Sequence, residues 1–113
     1  MNTDAPDALG RVLASAITGA IGEPFAFIEK APVRGGCIHR AWKLGGGTKA
    51  GKRSYFAKVN DAQKKALFAA EADGLEAIGA ARAMRVPRVI AQGDDGEDAW
   101  LVLEWLDLAP LAA

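Results

Sequence analysis

The sequence predicts an α+β domain: a five-stranded antiparallel sheet with one packed helix, preceded by an N-terminal helix. Three observations predict it. Two stretches repeat their apolar residues at three- and four-residue spacing, as helices do. Five short runs rich in β-branched and aromatic residues are separated by Gly, Pro and Asp punctuation. Most of these runs are joined by short connections, which favours antiparallel pairing over crossovers.

From Asp7 to Ile21, Leu9, Val12, Leu13, Ala16, Ile17 and Ile21 follow a helical period. Asp7 is placed to cap this helix and Gly22 to stop it, after a frayed start over residues 1–6. Phe25 to Ala31 reads as the first strand, ended by Pro32 and the Gly35-Gly36 pair. Ile38 to Leu44 reads as the second, with Ile38, Arg40, Trp42 and Leu44 on one side and His39, Ala41 and Lys43 on the other. Gly45 through Gly51 reads as a flexible hairpin connection, with Lys49, Lys52 and Arg53 as a solvated basic loop.

Ser54 to Asn60 forms the third strand. Asp61 is in position to cap a helix that runs to about Ile78. Its apolar stripe is Leu67, Phe68, Leu75 and Ile78, with Glu71 in the middle. Val86-Pro87 enforces extended backbone ahead of a fourth strand, Arg88 to Gln92. An acidic turn, residues 93–98, leads to the nearly all-apolar fifth strand, Trp100 to Trp105, which reads as interior to the sheet.

The chain has 113 residues, half of them hydrophobic, with no net charge. This is one domain's worth, and its charge does not point to a nucleic-acid partner. No stretch reaches membrane-spanning length, and the N-terminus lacks the pattern of a signal peptide. One cysteine, Cys37, cannot form an intramolecular disulfide, so a reducing, cytoplasmic setting is expected. Cys37 and the lone His39 are too few for a Cys/His zinc site, and no third group orients them as a nucleophilic dyad.

Lys58 and Glu71 carry the chemical signal. A carboxylate within an apolar stripe is costly unless a cation or hydrogen-bond donors meet it. Both faces of the third strand carry large apolar residues, so Lys58 also needs a partner. Glu71 is the best-placed candidate, whereas Asp73 and Glu76 fall off the stripe as surface charges. The turn Arg34-Gly35-Gly36-Cys37 could bring backbone N–H groups close to phosphate oxygens. By itself Gly-Gly is more often an ordinary hairpin turn.

These stretches, in this order, resemble the N-terminal lobe of fructosamine kinases (ketosamine-3-kinases), within the protein-kinase-like and aminoglycoside-phosphotransferase-like fold. The residues that carry the resemblance are Gly35-Gly36-Cys37-Ile38, Tyr55 to Asn60, Phe68 to Leu75, Arg85 to Ile90, and Leu101 to Leu106. The resemblance implies ATP-dependent phosphorylation of a ketosamine sugar hydroxyl, a step linked to protein deglycation. It implies that Lys58 holds ATP phosphates, that Glu71 holds Lys58, and that the Gly35, Gly36 and Cys37 turn covers the phosphates. Glu104, Trp105 and Leu106 would form a hinge that contacts adenine through the backbone, and Phe56 would line the pocket.

Divided on that basis, residues 1–22 are an N-terminal helix, 23–108 the ATP-binding lobe and 109–113 the start of a connection to a second lobe. His39 departs from the small polar residue frequent in such loops. The His-Gly-Asp catalytic loop and the Asp that holds magnesium have no counterpart in these 113 residues. The expectation is therefore ATP with Mg2+ as cofactors, no catalytic or metal residue in this stretch, and negligible turnover by it alone. Apolar surface at Trp105, Leu106 and Leu108, which the second lobe would cover, predicts a homodimer or a swapped assembly. Two other readings stand beside this one: a lobe of an aminoglycoside- or choline-type kinase, and an α+β interaction module without catalysis.

Overall fold

The computed structural model describes residues 8–33, 40–81 and 86–106. Several expectations lie outside them: the Asp7 cap, the Gly35-Gly36-Cys37 turn with Ile38 and His39, and the stretch from Asp107 onward that includes Leu108. The described elements are α1 (Ala8–Ile21), β1 (Ala26–Pro32), β2 (Arg40–Thr48), β3 (Gly51–Asp61), α2 (Lys65–Ala81), β4 (Val89–Asp94) and β5 (Asp98–Glu104). A 3-10 turn, Ala62–Lys64, leads into α2. The strands form one antiparallel sheet in the order β1-β2-β3-β5-β4.

Each helix covers one face of the sheet, which explains why β3 and β5 are apolar on both sides. On one face Leu13 and Ile17 of α1 pack with Leu44, Tyr55, Ala57, Val59, Trp100 and Val102. On the other, Phe68 and Ala72 of α2 pack with Ala99, Leu101 and Leu103, and Phe56, Leu75 and Val89 close the margin. Side chains alternate along β3, so Phe56 and Lys58 face the α2 side. The end of α1 is tied to the sheet where the Phe25 N–H donates to Thr18 Oγ1 at 3.1 Å. Gly22 stops α1 as expected, with a φ of 77° that favours glycine.

The structure corrects several local expectations. Gly45, Gly46 and Gly47 are not a flexible loop but part of β2, paired with β1 and β3. The reason is packing. A Cβ on Gly46 would lie 2.5 Å from the Ala26 carbonyl oxygen and 2.6 Å from the Phe25 ring, so only glycine admits this ring. The connection shrinks to Lys49-Ala50. There the Ala50 N–H donates to Thr48 Oγ1, and the Lys49 N–H donates to the Glu23 carboxylate. Lys52 and Arg53 consequently sit on β3 rather than in a loop, although exposed.

Pro32 lies within β1, opposite Trp42, rather than beyond it. β1 is an edge strand, where a missing N–H costs least. Asp61 precedes the 3-10 turn, but its side chain makes no capping bond. The Ala62 N–H is taken instead by the Glu97 carbonyl at 2.9 Å. The apolar stripe of α2 is also narrower than its sequence suggests: Leu67 is 47% exposed and Ile78 39%. Phe68, Ala72 and Leu75 point at the sheet, so Glu71 flanks that stripe rather than interrupting it.

Candidate nucleotide-binding site

Lys58 and Glu71 meet. The Lys58 ammonium donates to Glu71 Oε2 at 2.5 Å, with side chains 19% and 30% exposed respectively. The geometry follows from the two elements. β3 directs Lys58 toward the α2 side, and the packing of Phe68 and Ala72 on β5 brings the Glu71 flank of the helix over the sheet. Glu71 is half-buried, so the pair avoids most of the desolvation that a fully buried ion pair incurs. It still holds the lysine ammonium in one direction.

The floor around Lys58 is set by register. Ala41 on β2 and Leu101 on β5 lie opposite Lys58, and Lys43 and Leu103 lie opposite Phe56. Trp105, just past β5, closes one end. Its ring lies 6.2 Å from that of Phe56, and the Lys43 ammonium sits 4.6 Å from its centroid. Sequence reasoning did not single out Lys43. Its alternation with Ala41 was visible, but only the β2–β3 register puts it beside Phe56.

Glu104 is more committed than its expected hinge role implies. Its N–H donates to the Arg88 carbonyl at 2.9 Å, and its carboxylate accepts the Arg88 N–H at 3.2 Å. This double link ties the end of β5 to the entry of β4. Trp105 and Leu106 are half-buried. The Trp105 indole N–H is buried without a hydrogen-bond partner among the described residues. Gly35, Gly36 and Cys37 lie outside the described residues, so the structure does not place the expected phosphate-covering turn.

Two carboxylates are held below their ordinary value of 3.8, one ending β4 and the other in the turn that follows it. Asp94 is lowered by the Lys65 ammonium, 2.9 Å away, and by the Gly96 N–H. Asp95 is lowered by the N–H groups of Asp98 and Glu97. Both are structural, closing a turn in which Gly96 adopts a φ of 94°. Among the described residues no group of three His, Cys, Asp or Glu side chains could hold a metal ion. No described helix is long and apolar enough to cross a membrane.

Known proteins resemble this chain in sequence and in fold. The fructosamine kinase family model matches residues 11–113. A probable ketoamine kinase of Synechocystis is 40% identical over 107 residues, covering 95% of this chain and 34% of the relative. Another, from Klebsiella aerogenes, is 39% identical over 79 residues, covering 70% and 26%. The fold is similar to the crystal structure of a putative fructosamine-3-kinase from Haemophilus somnus. There the TM-score is 0.75 at 22% identity, with 86% of this chain and 32% of that one covered. The chain thus covers about a quarter to a third of the length of these relatives. With the matching family model spanning nearly all of it, the chain belongs to the fructosamine kinase family.

Proposed function

We propose that this chain is the ATP-binding lobe of an enzyme that phosphorylates a ketosamine sugar hydroxyl at the expense of ATP, a reaction of protein deglycation. The observation that carries the proposal is the Lys58–Glu71 ion pair, formed between a central strand and the helix packed beside it. ATP supplies the phosphoryl group. Lys58 binds its phosphates, and Glu71 keeps the ammonium aimed at them. The backbone of Glu104, Trp105 and Leu106 contacts adenine. Because the Glu104 N–H is taken by Arg88, that contact falls to carbonyl oxygens and to the N–H groups of Trp105 and Leu106.

Phe56 lines the base pocket, and the Gly35-Gly36-Cys37 turn covers the phosphates. Magnesium and the acceptor hydroxyl are handled by residues outside this chain, with residues 109–113 leading toward them. The acceptors include ketosamines on protein lysines. Trp105 and Leu106 are half-buried, so support for self-association of the chain when it stands alone comes from the exposed Leu67 and Ile78. A single cysteine is in keeping with the cytoplasm as its compartment.

The test is a chimera. This chain replaces the corresponding third of the Synechocystis ketoamine kinase, and phosphate transfer from ATP to fructoselysine is measured. Transfer by the chimera, reduced by at least about a hundredfold in Lys58→Met, is expected for a lost charge-stabilising contact. The isolated chain should bind ATP, more weakly in Glu71→Gln. Undiminished transfer by Lys58→Met would refute the assignment.

A further inference from the structure

A cavity lies at the end of the sheet beyond the tip of β5. β5 ends opposite Tyr55, whereas β3 runs on through Ser54, Arg53 and Lys52 to Gly51, still paired with β2. On its other side this stretch of β3 has no strand neighbour among the described residues. The space left there is a cavity of about 390 Å³, walled by Lys52, Arg53, Arg88, Glu23 and Glu104. Phe56, Lys58 and Leu103, which floor the nucleotide face, are not part of its wall.

The charges are unevenly committed. Glu23 accepts the Lys49 N–H at 2.9 Å, and Glu104 accepts the Arg88 N–H. The side chains of Lys52, Arg53 and Arg88 have no ion-pair or hydrogen-bond partner among the described residues. Three cationic groups therefore border one concavity, two of them guanidinium forks suited to paired oxyanion oxygens. The Ser54 hydroxyl adds a neutral donor on the same wall.

We propose that this cavity binds a compact phosphate-type dianion, whether free phosphate or the phosphate group of a sugar monoester. Lys52, Arg53 and Arg88 are its ligands. The inference does not depend on the nucleotide assignment, although the two sites share Glu104 and Trp105 as a wall. Occupancy would therefore be felt by the segment proposed to hold adenine.

The test is a two-dimensional 15N–1H NMR titration of the chain with inorganic phosphate, and separately with fructose 6-phosphate, at constant ionic strength. Saturable shifts centred on Lys52–Ser54 and Arg88 are expected with at least one of the two. The stronger binder identifies the source of the phosphate. Arg53→Gln and Arg88→Gln should each weaken binding by about tenfold or more, as expected for lost hydrogen bonds to a charged group. Lys64→Gln, an exposed cation elsewhere, should leave it unchanged. Lys58→Met should also leave it unchanged even if ATP binding is lost, which separates this site from the nucleotide site. Non-saturable shifts spread over all surface cations, or equal weakening by Lys64→Gln, would overturn the proposal. So would retention of full affinity in both arginine variants.

Discussion

Adjacent residues on α2 should respond very differently to truncation. Phe68 is 1% exposed and docks the helix on Ala99, Leu101 and Leu103, while Leu67 beside it is 47% exposed. Burying an aromatic side chain removes roughly 200 Å² from water, worth about 5 kcal/mol at 25 cal/mol/Å². Part of that area is already shielded in the unfolded chain, and alanine keeps its Cβ, so Phe68→Ala should cost about 3–5 kcal/mol. Leu67→Ala should cost about 1 kcal/mol or less. Small domains have only about 5–15 kcal/mol in total, so the first variant should be near unfolding and the second close to the parent.

Guanidinium denaturation followed by far-UV circular dichroism measures both variants, with m-values checked for a common unfolded state. Glu71 rides on the same helix turn. A loosened α2 in Phe68→Ala should therefore also weaken ATP binding, with no contact to nucleotide removed. Equal costs at the two positions would refute the reasoning. A larger cost at Leu67 would mean that α2 is rotated about its axis by about 100°, the angle per residue of an α-helix. Glu71 would then point elsewhere.

Further outcomes follow from the same structure. Gly46→Ala should destabilise the chain by about 1–3 kcal/mol or more through collision with the Ala26 carbonyl and the Phe25 ring, read as a lower Tm. Gly47→Ala, with open space at its Cβ position, should cost less than Gly46→Ala. Asp94 and Asp95 have lowered folded values, so their stabilising contribution is complete above the ordinary carboxylate value of 3.8. It is lost as pH falls through the folded values. Asp95→Asn should therefore flatten the loss of stability on acidification below about pH 5, in a series of melts at stepped pH. An unchanged acid limb would show that the turn's N–H groups do not favour the ionised carboxylate. Lys43→Met should alter the fluorescence of Trp105, since it removes a cation 4.6 Å from that ring.

Much of the fold was legible because its signals are local. The period of Leu9, Leu13 and Ile17 marks α1, and alternation through Tyr55, Ala57 and Val59 marks β3. The Lys58–Glu71 pair was legible for a different reason. In the sequence Glu71 reads as a carboxylate within an apolar stripe and Lys58 as a lysine on a strand with no polar face, so each calls for a partner, and few candidates exist. The glycines from 45 to 47 read locally as a loop, yet they belong to β2. Glycine's local preference is for turns, and only the approach of Phe25 and the Ala26 carbonyl shows why the strand requires one at position 46. Leu67 and Ile78 read as part of the buried stripe but are exposed, because a wide apolar arc does not reveal which part of it meets the sheet.

The sequence by itself determined the order and type of the elements, the family, and the residues in need of charge partners. Each of these depends on periodicity or on the chemistry of single side chains. Tertiary structure alone decided the strand order, the face each helix covers, the place of Lys43 and Trp105 beside Phe56, and the cavity beyond the end of β5. These depend on register and on where one strand outruns its neighbour. The main-chain pairing that sets them is common to all residues, so the side chains record it only weakly.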